Sequence, residues 1–141
     1  MREPVYWGNM ELLERRKTGF LASRSIATTA VIPALEWALG VSKEEQAVVV
    51  SGFHSPLERK VLGTLLKGRC GLIIILARGM YRKLPARLEE PMRSGRLLLI
   101  SYEHPSVTRA SELTAHRRND NVRQLADTMY RPSDIEAAGA R

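Results

Sequence analysis

Ala47-Val48-Val49-Val50-Ser51-Gly52-Phe53-His54-Ser55-Pro56-Leu57-Glu58 carries a strand, a turn and the start of a helix in unbroken succession. The valines are stiff at χ1 and fit a pleated surface, and so short a continuous apolar run suits a strand buried on both faces. Ser51-Gly52 ends it. Ser55 then offers an N-cap hydroxyl, and Pro56 takes the first helical position, where a missing N–H costs nothing. Glu58 stands three residues past the cap, within reach of the cap's free N–H. The spacing predicts a helix from Pro56 to about Lys67, with Leu57, Val61, Leu62, Leu65 and Leu66 facing the sheet and Gly68 closing it.

The same order repeats on both sides of this stretch. Upstream, a strand is predicted from Lys17 to Ala22, then the turn Ser23-Arg24-Ser25, then a helix from about Thr29 to Leu39 stopped by Gly40. Ser42-Lys43-Glu44-Glu45 reads as a turn. Downstream, Leu72–Leu76 is a third strand, leaving through Ala77-Arg78-Gly79-Met80-Tyr81-Arg82 toward a short helix from about Pro85 to Arg93. A fourth strand, Arg96 to Ser101, leads through Glu103-His104-Pro105 into a helix from about Thr108 to Ala126, with a break expected near His116 and a short last strand around Met129. Alternating β and α elements predict an α/β fold: a doubly wound, mostly parallel sheet of about four or five strands with helices on both faces, in three layers.

At 141 residues the chain suits one domain, expected over residues 1–132, with 133–141 a flexible tail. The apolar run Gly71–Ala77 is far shorter than the roughly 20 residues of a bilayer crossing, and Met1-Arg2-Glu3-Pro4 opens no secretory pattern, so a cytoplasmic location without membrane contact is expected. The single cysteine, Cys70, excludes an internal disulfide and a multi-cysteine metal site, and reads as a small packing residue. No GxGxxG and no GxxxxGK[ST] loop is present, so phosphate recognition must rest on backbone N–H groups and arginine. No cofactor or metal is expected.

The net charge of +7 lies in the middle of the chain. Residues 1–56 and 97–141 are balanced, whereas 57–96 holds Arg59, Lys60, Lys67, Arg69, Arg78, Arg82, Lys83, Arg87, Arg93 and Arg96 against Glu58, Glu89 and Glu90. Such a field attracts phosphate backbones. In open parallel sheets the loops at the carboxyl ends of the strands gather on one edge, where ligands bind. Here those loops supply Ser23, Arg24 and Ser25, then Ser51, Gly52 and Phe53, then Arg78. Arg24 is the first candidate, because a guanidinium can fork onto phosphate oxygens beside free backbone donors. Arg118-Asn119 pairs a cation with an amide that can donate and accept, while Arg117, Arg82 and Lys83 are expected to steer an anion inward. Phe53 and Tyr81 can stack on a base or pack on a neighbouring loop. His54, His104 and His116 have neither metal-ligand spacing nor a nucleophile partner, so no catalytic residue is assigned.

Gly19-Phe20-Leu21-Ala22-Ser23-Arg24, Val49-Val50-Ser51-Gly52-Phe53-His54-Ser55-Pro56, Arg96-Leu97-Leu98-Leu99-Ile100-Ser101 and Arg117-Arg118-Asn119 resemble, in order and spacing, the Rossmann-like core of the DNA-processing protein A (DprA/Smf) family, and more closely its small single-domain relatives. The resemblance implies a non-enzymatic protein that binds single-stranded DNA at a basic sheet edge. Arg24 would match the arginine of the family's Gly-Ser-Arg turn, Ser51 and Gly52 its Ser-Gly turn, and Arg118 and Asn119 its Arg-Asn motif. Ser55-Pro56-Leu57-Glu58 stands where the family carries a Gly-Ile-Asp turn followed by Ala-His, and the family continues through a further strand. Nucleotide or phosphate binding therefore carries over further than delivery of DNA to a recombinase. Two other classes stay open: a phosphoribohydrolase-like enzyme, whose Pro-Gly-Gly-x-Gly-Thr loop is absent here, and a degenerate oligomerisation module, with an open sheet edge inviting a homodimer.

Overall fold

Residues 3–132 are described by a computed structural model. In chain order they form β1 (Val5–Gly8), a 3-10 turn Met10–Glu14, β2 (Lys17–Phe20), a 3-10 turn Thr28–Ala30 continuing into α1 (Val31–Ser42), β3 (Val48–Ser51), α2 (Pro56–Leu66), β4 (Gly71–Leu76), a 3-10 turn Ala86–Leu88 continuing into α3 (Glu89–Arg93), β5 (Leu97–Ser101), α4 (Glu112–Leu125) and β6 (Thr128–Tyr130). The tail expected over 133–141 lies outside the described residues.

The six strands are ordered β1-β5-β4-β3-β2-β6; β1 runs antiparallel to β5 and every other pair is parallel. This is the doubly wound, mostly parallel sheet that the β–α rhythm predicts, with one strand more. The addition is β1, a short and largely exposed edge strand that pairs Val5 with Ser101 and Gly8 with Leu98.

Alternation along each strand divides the core. Val49, Leu72, Ile74, Leu97 and Leu99 face Ala34 and Ala38 of α1, Val61, Leu62 and Leu65 of α2, and Leu88. Val48, Val50, Ile73, Ile75, Leu98 and Ile100 face Leu12 and Val122 of α4. Each fully buried side chain of this kind contributes about 1.5–3 kcal/mol, so both faces of the central strands hold the sheet together. From β2 to β5 the chain steps one way across the sheet; α4 then carries it back over the opposite face, placing β6 on the far side of β2. The strand order thus reverses at β2, and the crevice above the carboxyl ends of β2 and β3 opens between helices of opposite faces.

Several boundaries differ from expectation for local reasons. α1 continues through Gly40 to Ser42: Gly40 does not take the left-handed conformation of a helix-stopping glycine, and the helix ends at Lys43 in right-handed geometry. α4 starts at Glu112 and is unbroken at His116. A reciprocal cap fixes that start: Thr114 N–H donates to Ser111 Oγ at 3.1 Å, and Ser111 N–H donates to Thr114 Oγ1 at 2.8 Å. The last strand is anchored by Asp127, whose carboxylate accepts Lys17 N–H at 2.7 Å while its own N–H donates to Lys17 C=O at 2.8 Å. Phe20, Trp37 and Tyr130 stack mutually, with ring centroids 5.4 Å (Phe20–Trp37), 5.7 Å (Phe20–Tyr130) and 4.4 Å (Trp37–Tyr130) apart, tying α1 and β6 to β2. No helix among the described residues is long and apolar enough to cross a membrane.

Candidate functional site

The carboxyl ends of β2 and β3 are held together by Glu58. Its position in the first turn of α2 lets the side chain fold back over the helix end. There the buried carboxylate accepts three backbone N–H groups: Ala22 at 3.0 Å, His54 at 2.9 Å and Ser55 at 3.1 Å. Glu58 is therefore more than the cap its spacing predicts, since the Ala22 bond reaches across to the turn after β2. His54 and Ser55 can donate to it because the preceding residue, Phe53, takes φ +50°. That left-handed conformation is costly for a bulky residue. Phe53 N–H donates to Ser51 Oγ at 3.0 Å and the ring is buried in the core, which offsets the cost.

Above this turn lies Arg118. α4 crosses the sheet so that Arg118 points down onto Gly52, and a Cβ at Gly52 would collide with Arg118 Cδ, Nε and Cζ. The side chain is 6% exposed, donates from Nε to Asn119 Oδ1 at 2.9 Å, and forms no ion pair among the described residues. Burial lowers its pKa, opposed by the nearby Glu58. A buried guanidinium is ordinarily matched by a carboxylate; this one has the field of Glu58 without its contact.

Arg118 walls a cleft of about 970 Å³ that also exposes Ser23, Arg24, His54 and Asn119, with Glu58 and Glu112 as its acidic members. Arg24 is exposed and, like Arg118, forms no ion pair among the described residues. The His54 pKa is lowered, first by burial and then by Arg118, Arg59 and Arg24, with Glu58 opposing. Burial and these cations thus disfavour the protonated form of His54, and an anion entering the cleft would offset them.

The structure thus brings together Ser23, Arg24, Gly52, Arg118 and Asn119 from the residues singled out in the sequence. Ser25 is exposed just beyond the cleft lining. Ser51 is fully buried below the turn, and the Phe53 ring is turned into the core, away from any base that could stack on it. Arg78 stands across Arg118, its Nε donating to Gly79 C=O at 3.0 Å and its guanidinium 4.8 Å above the Tyr81 ring. Arg82 and Lys83 are exposed on the loop beyond. Arg117 points to a different side of α4 and forks onto Glu103, with bonds of 3.1 and 2.8 Å. His104 Nδ1 sits 2.8 Å from Ser106 Oγ on an exposed loop, and the buried Cys70 thiol is pushed up to about 11. Among the described residues no group of three or more His, Cys, Asp or Glu side chains is placed to hold a metal.

Sequence reasoning did not assign His54, Glu58 or the N-terminus of α4 to the cleft. The Ser111-x-x-Thr114 spacing is a readable cap signal, but nothing local says that α4 begins beside the turns after β2 and β3.

No family model matches the sequence, and no curated protein sequence matches it. Solved structures that share its fold include two of DNA processing protein A. DNA processing protein A from Streptococcus pneumoniae superposes with a TM-score of 0.70 at 18% identity, covering 91% of this chain and 45% of that one. DNA processing protein A from Helicobacter pylori, whose structure concerns its single-stranded DNA binding mode, superposes with a TM-score of 0.68 at 16% identity, covering 91% of this chain and 59% of that one. This chain spans about half the length of the proteins it matches. At these identities the likeness is one of fold.

Proposed function

We propose that this chain binds single-stranded DNA, or a nucleotide presenting the same phosphate, at the carboxyl edge of its sheet, without breaking a bond in the ligand. The observation that carries the reading is Arg118: a buried guanidinium with no carboxylate contact, seated on a glycine and facing a cleft that also holds Arg24. Bidentate donors beside uncompensated positive charge suit a phosphate. Glu58, the acid in the cleft floor, is occupied by three N–H groups and so is a clamp rather than a base. Arg82 and Lys83, outside the cleft, would raise the encounter rate. The likeness to DNA processing protein A supports the same reading, as do the Ser-Arg, Ser-Gly and Arg-Asn markers.

Fluorescence anisotropy with a labelled single-stranded oligonucleotide at low and moderate salt tests it. Binding should weaken as salt rises, because counterions released from the strand oppose it. Arg24→Ala, an exposed change with little effect on folding, should lower the affinity. Absence of binding by the native chain at low salt would overturn the reading for DNA, and absence of binding to a nucleoside monophosphate as well would overturn it entirely.

A further inference from the structure

A second cleft, of about 280 Å³, lies on the other side of Arg118. Four arginines from four separate elements line it: Arg59 from α2, Arg78 from the loop after β4, Arg87 from the 3-10 turn before α3, and Arg118 from α4. No acidic residue lines it, and none of the four forms an ion pair among the described residues. Four other arginines are matched: Arg15 with Glu11, Arg96 with Glu90, Arg117 with Glu103 and Arg123 with Asp120. Convergence of four unmatched guanidiniums is repulsive unless an anion fills the space between them.

The two clefts share His54, Ala110 and Arg118 as walls. Arg118 is thus a partition with one side toward each. The first cleft carries two carboxylates beside its cations, whereas the second carries none.

We propose that the second cleft holds a further phosphate of the same strand, so that a polynucleotide lies across Arg118 with phosphates on either side of it. This rests on the reading above and sharpens it: the ligand is a polymer, and a mononucleotide fills one cleft only. Arg59 and Arg87 are exposed and are assigned here as phosphate-binding residues of the second cleft.

The test compares a single deoxynucleotide, a dinucleotide and a longer oligothymidylate on the native chain, on Arg59→Ala/Arg87→Ala, and on Arg82→Ala/Lys83→Ala, which removes the same charge from two positions that line neither cleft. Arg59→Ala/Arg87→Ala should lose most of the affinity gained with strand length, and its salt slope should fall by about one for each phosphate contact removed. Mononucleotide binding should change far less. If the long strand binds this variant as it binds the native chain, or if the loop variant loses as much, the second cleft is no subsite and this proposal fails while the function stands. If the native chain binds no strand at all, both fail together. Unchanged urea unfolding of both variants confirms that a loss reflects the site.

Discussion

Arg118 lies against Gly52 in the space where any other residue would place its Cβ. The two residues are far apart in the chain, and their contact joins the turn after β3 to the middle of α4. Glycine is the permissive partner: it supplies the absence that lets a buried guanidinium sit at the sheet edge.

Gly52→Ala should displace Arg118 from its seat. Overpacking of this kind costs about 1–3 kcal/mol, at the lower end here because a flexible side chain can give way. Oligonucleotide affinity should fall by more than the change in urea stability suggests. Combining the change with Arg118→Ala should remove most of its stability cost, giving a coupling of about 0.5–3 kcal/mol in a double-mutant cycle. Strict additivity would show that the two side chains do not compete for the same space.

Glu58→Ala should be among the most damaging single changes. It leaves the N–H groups of Ala22, His54 and Ser55 without their acceptor, at a cost of about 3 kcal/mol or more if water does not replace it. Glu58→Gln keeps one acceptor oxygen and should fall between alanine and the native chain. Chemical denaturation monitored by tryptophan fluorescence measures both. A near-neutral alanine variant would mean that the two turns are held by something other than this carboxylate.

Ligand affinity should depend on pH through His54. In the free protein its pKa is lowered by burial and by Arg118, Arg59 and Arg24. A bound phosphate offsets those cations and raises it, so binding takes up a proton. Affinity is then greatest below the free-state pKa and declines as pH rises through the bound-state value. His54→Gln should flatten that decline across the range below and around 6.5, the ordinary value for histidine. Equal pH profiles for the two proteins would remove His54 from the site.

The β6 edge should loosen in acid through Asp127. Its pKa is lowered first by the Lys17 N–H bond, then by the charges of Lys17 and Arg16. A depressed folded-state pKa means stability that is complete above the unfolded value, near 3.9, and is lost as pH falls through the folded one. Asp127→Asn should therefore be less stable than the native chain at neutral pH, with the gap closing toward the acid limit. Thermal melts across that range read the difference; a gap independent of pH would assign the effect to packing alone.

The elements with dense local signals were legible. Ser55-Pro56-Leu57-Glu58 reads as a helix start from hydrogen-bond chemistry within four residues, and the apolar runs at Val48, Leu72 and Leu97 read as buried strands. β1 was not legible, since Val5-Tyr6-Trp7 is half exposed and has strand character only because β5 offers it an edge. The start of α4 was misplaced because Thr114 stands where a capping box usually carries Glu or Gln. Among the site residues, Arg24 and Arg118 were chosen on chemistry and fall in one cleft. Arg117 carries the same chemistry and does not join them, because adjacent helical residues point about 100° apart.

By itself the sequence determined the alternation of strands and helices, the parallel sheet and the placing of cationic loops at one edge, because these follow from periodicity, capping and turn chemistry acting over a few residues. Only the tertiary structure decided that α4 returns across the opposite face, that Glu58 binds the backbone of two separate turns, and that four arginines surround one small cleft. Those are contacts between residues distant in the chain, and their partners are selected by the packing of the whole sheet rather than by any neighbour in sequence.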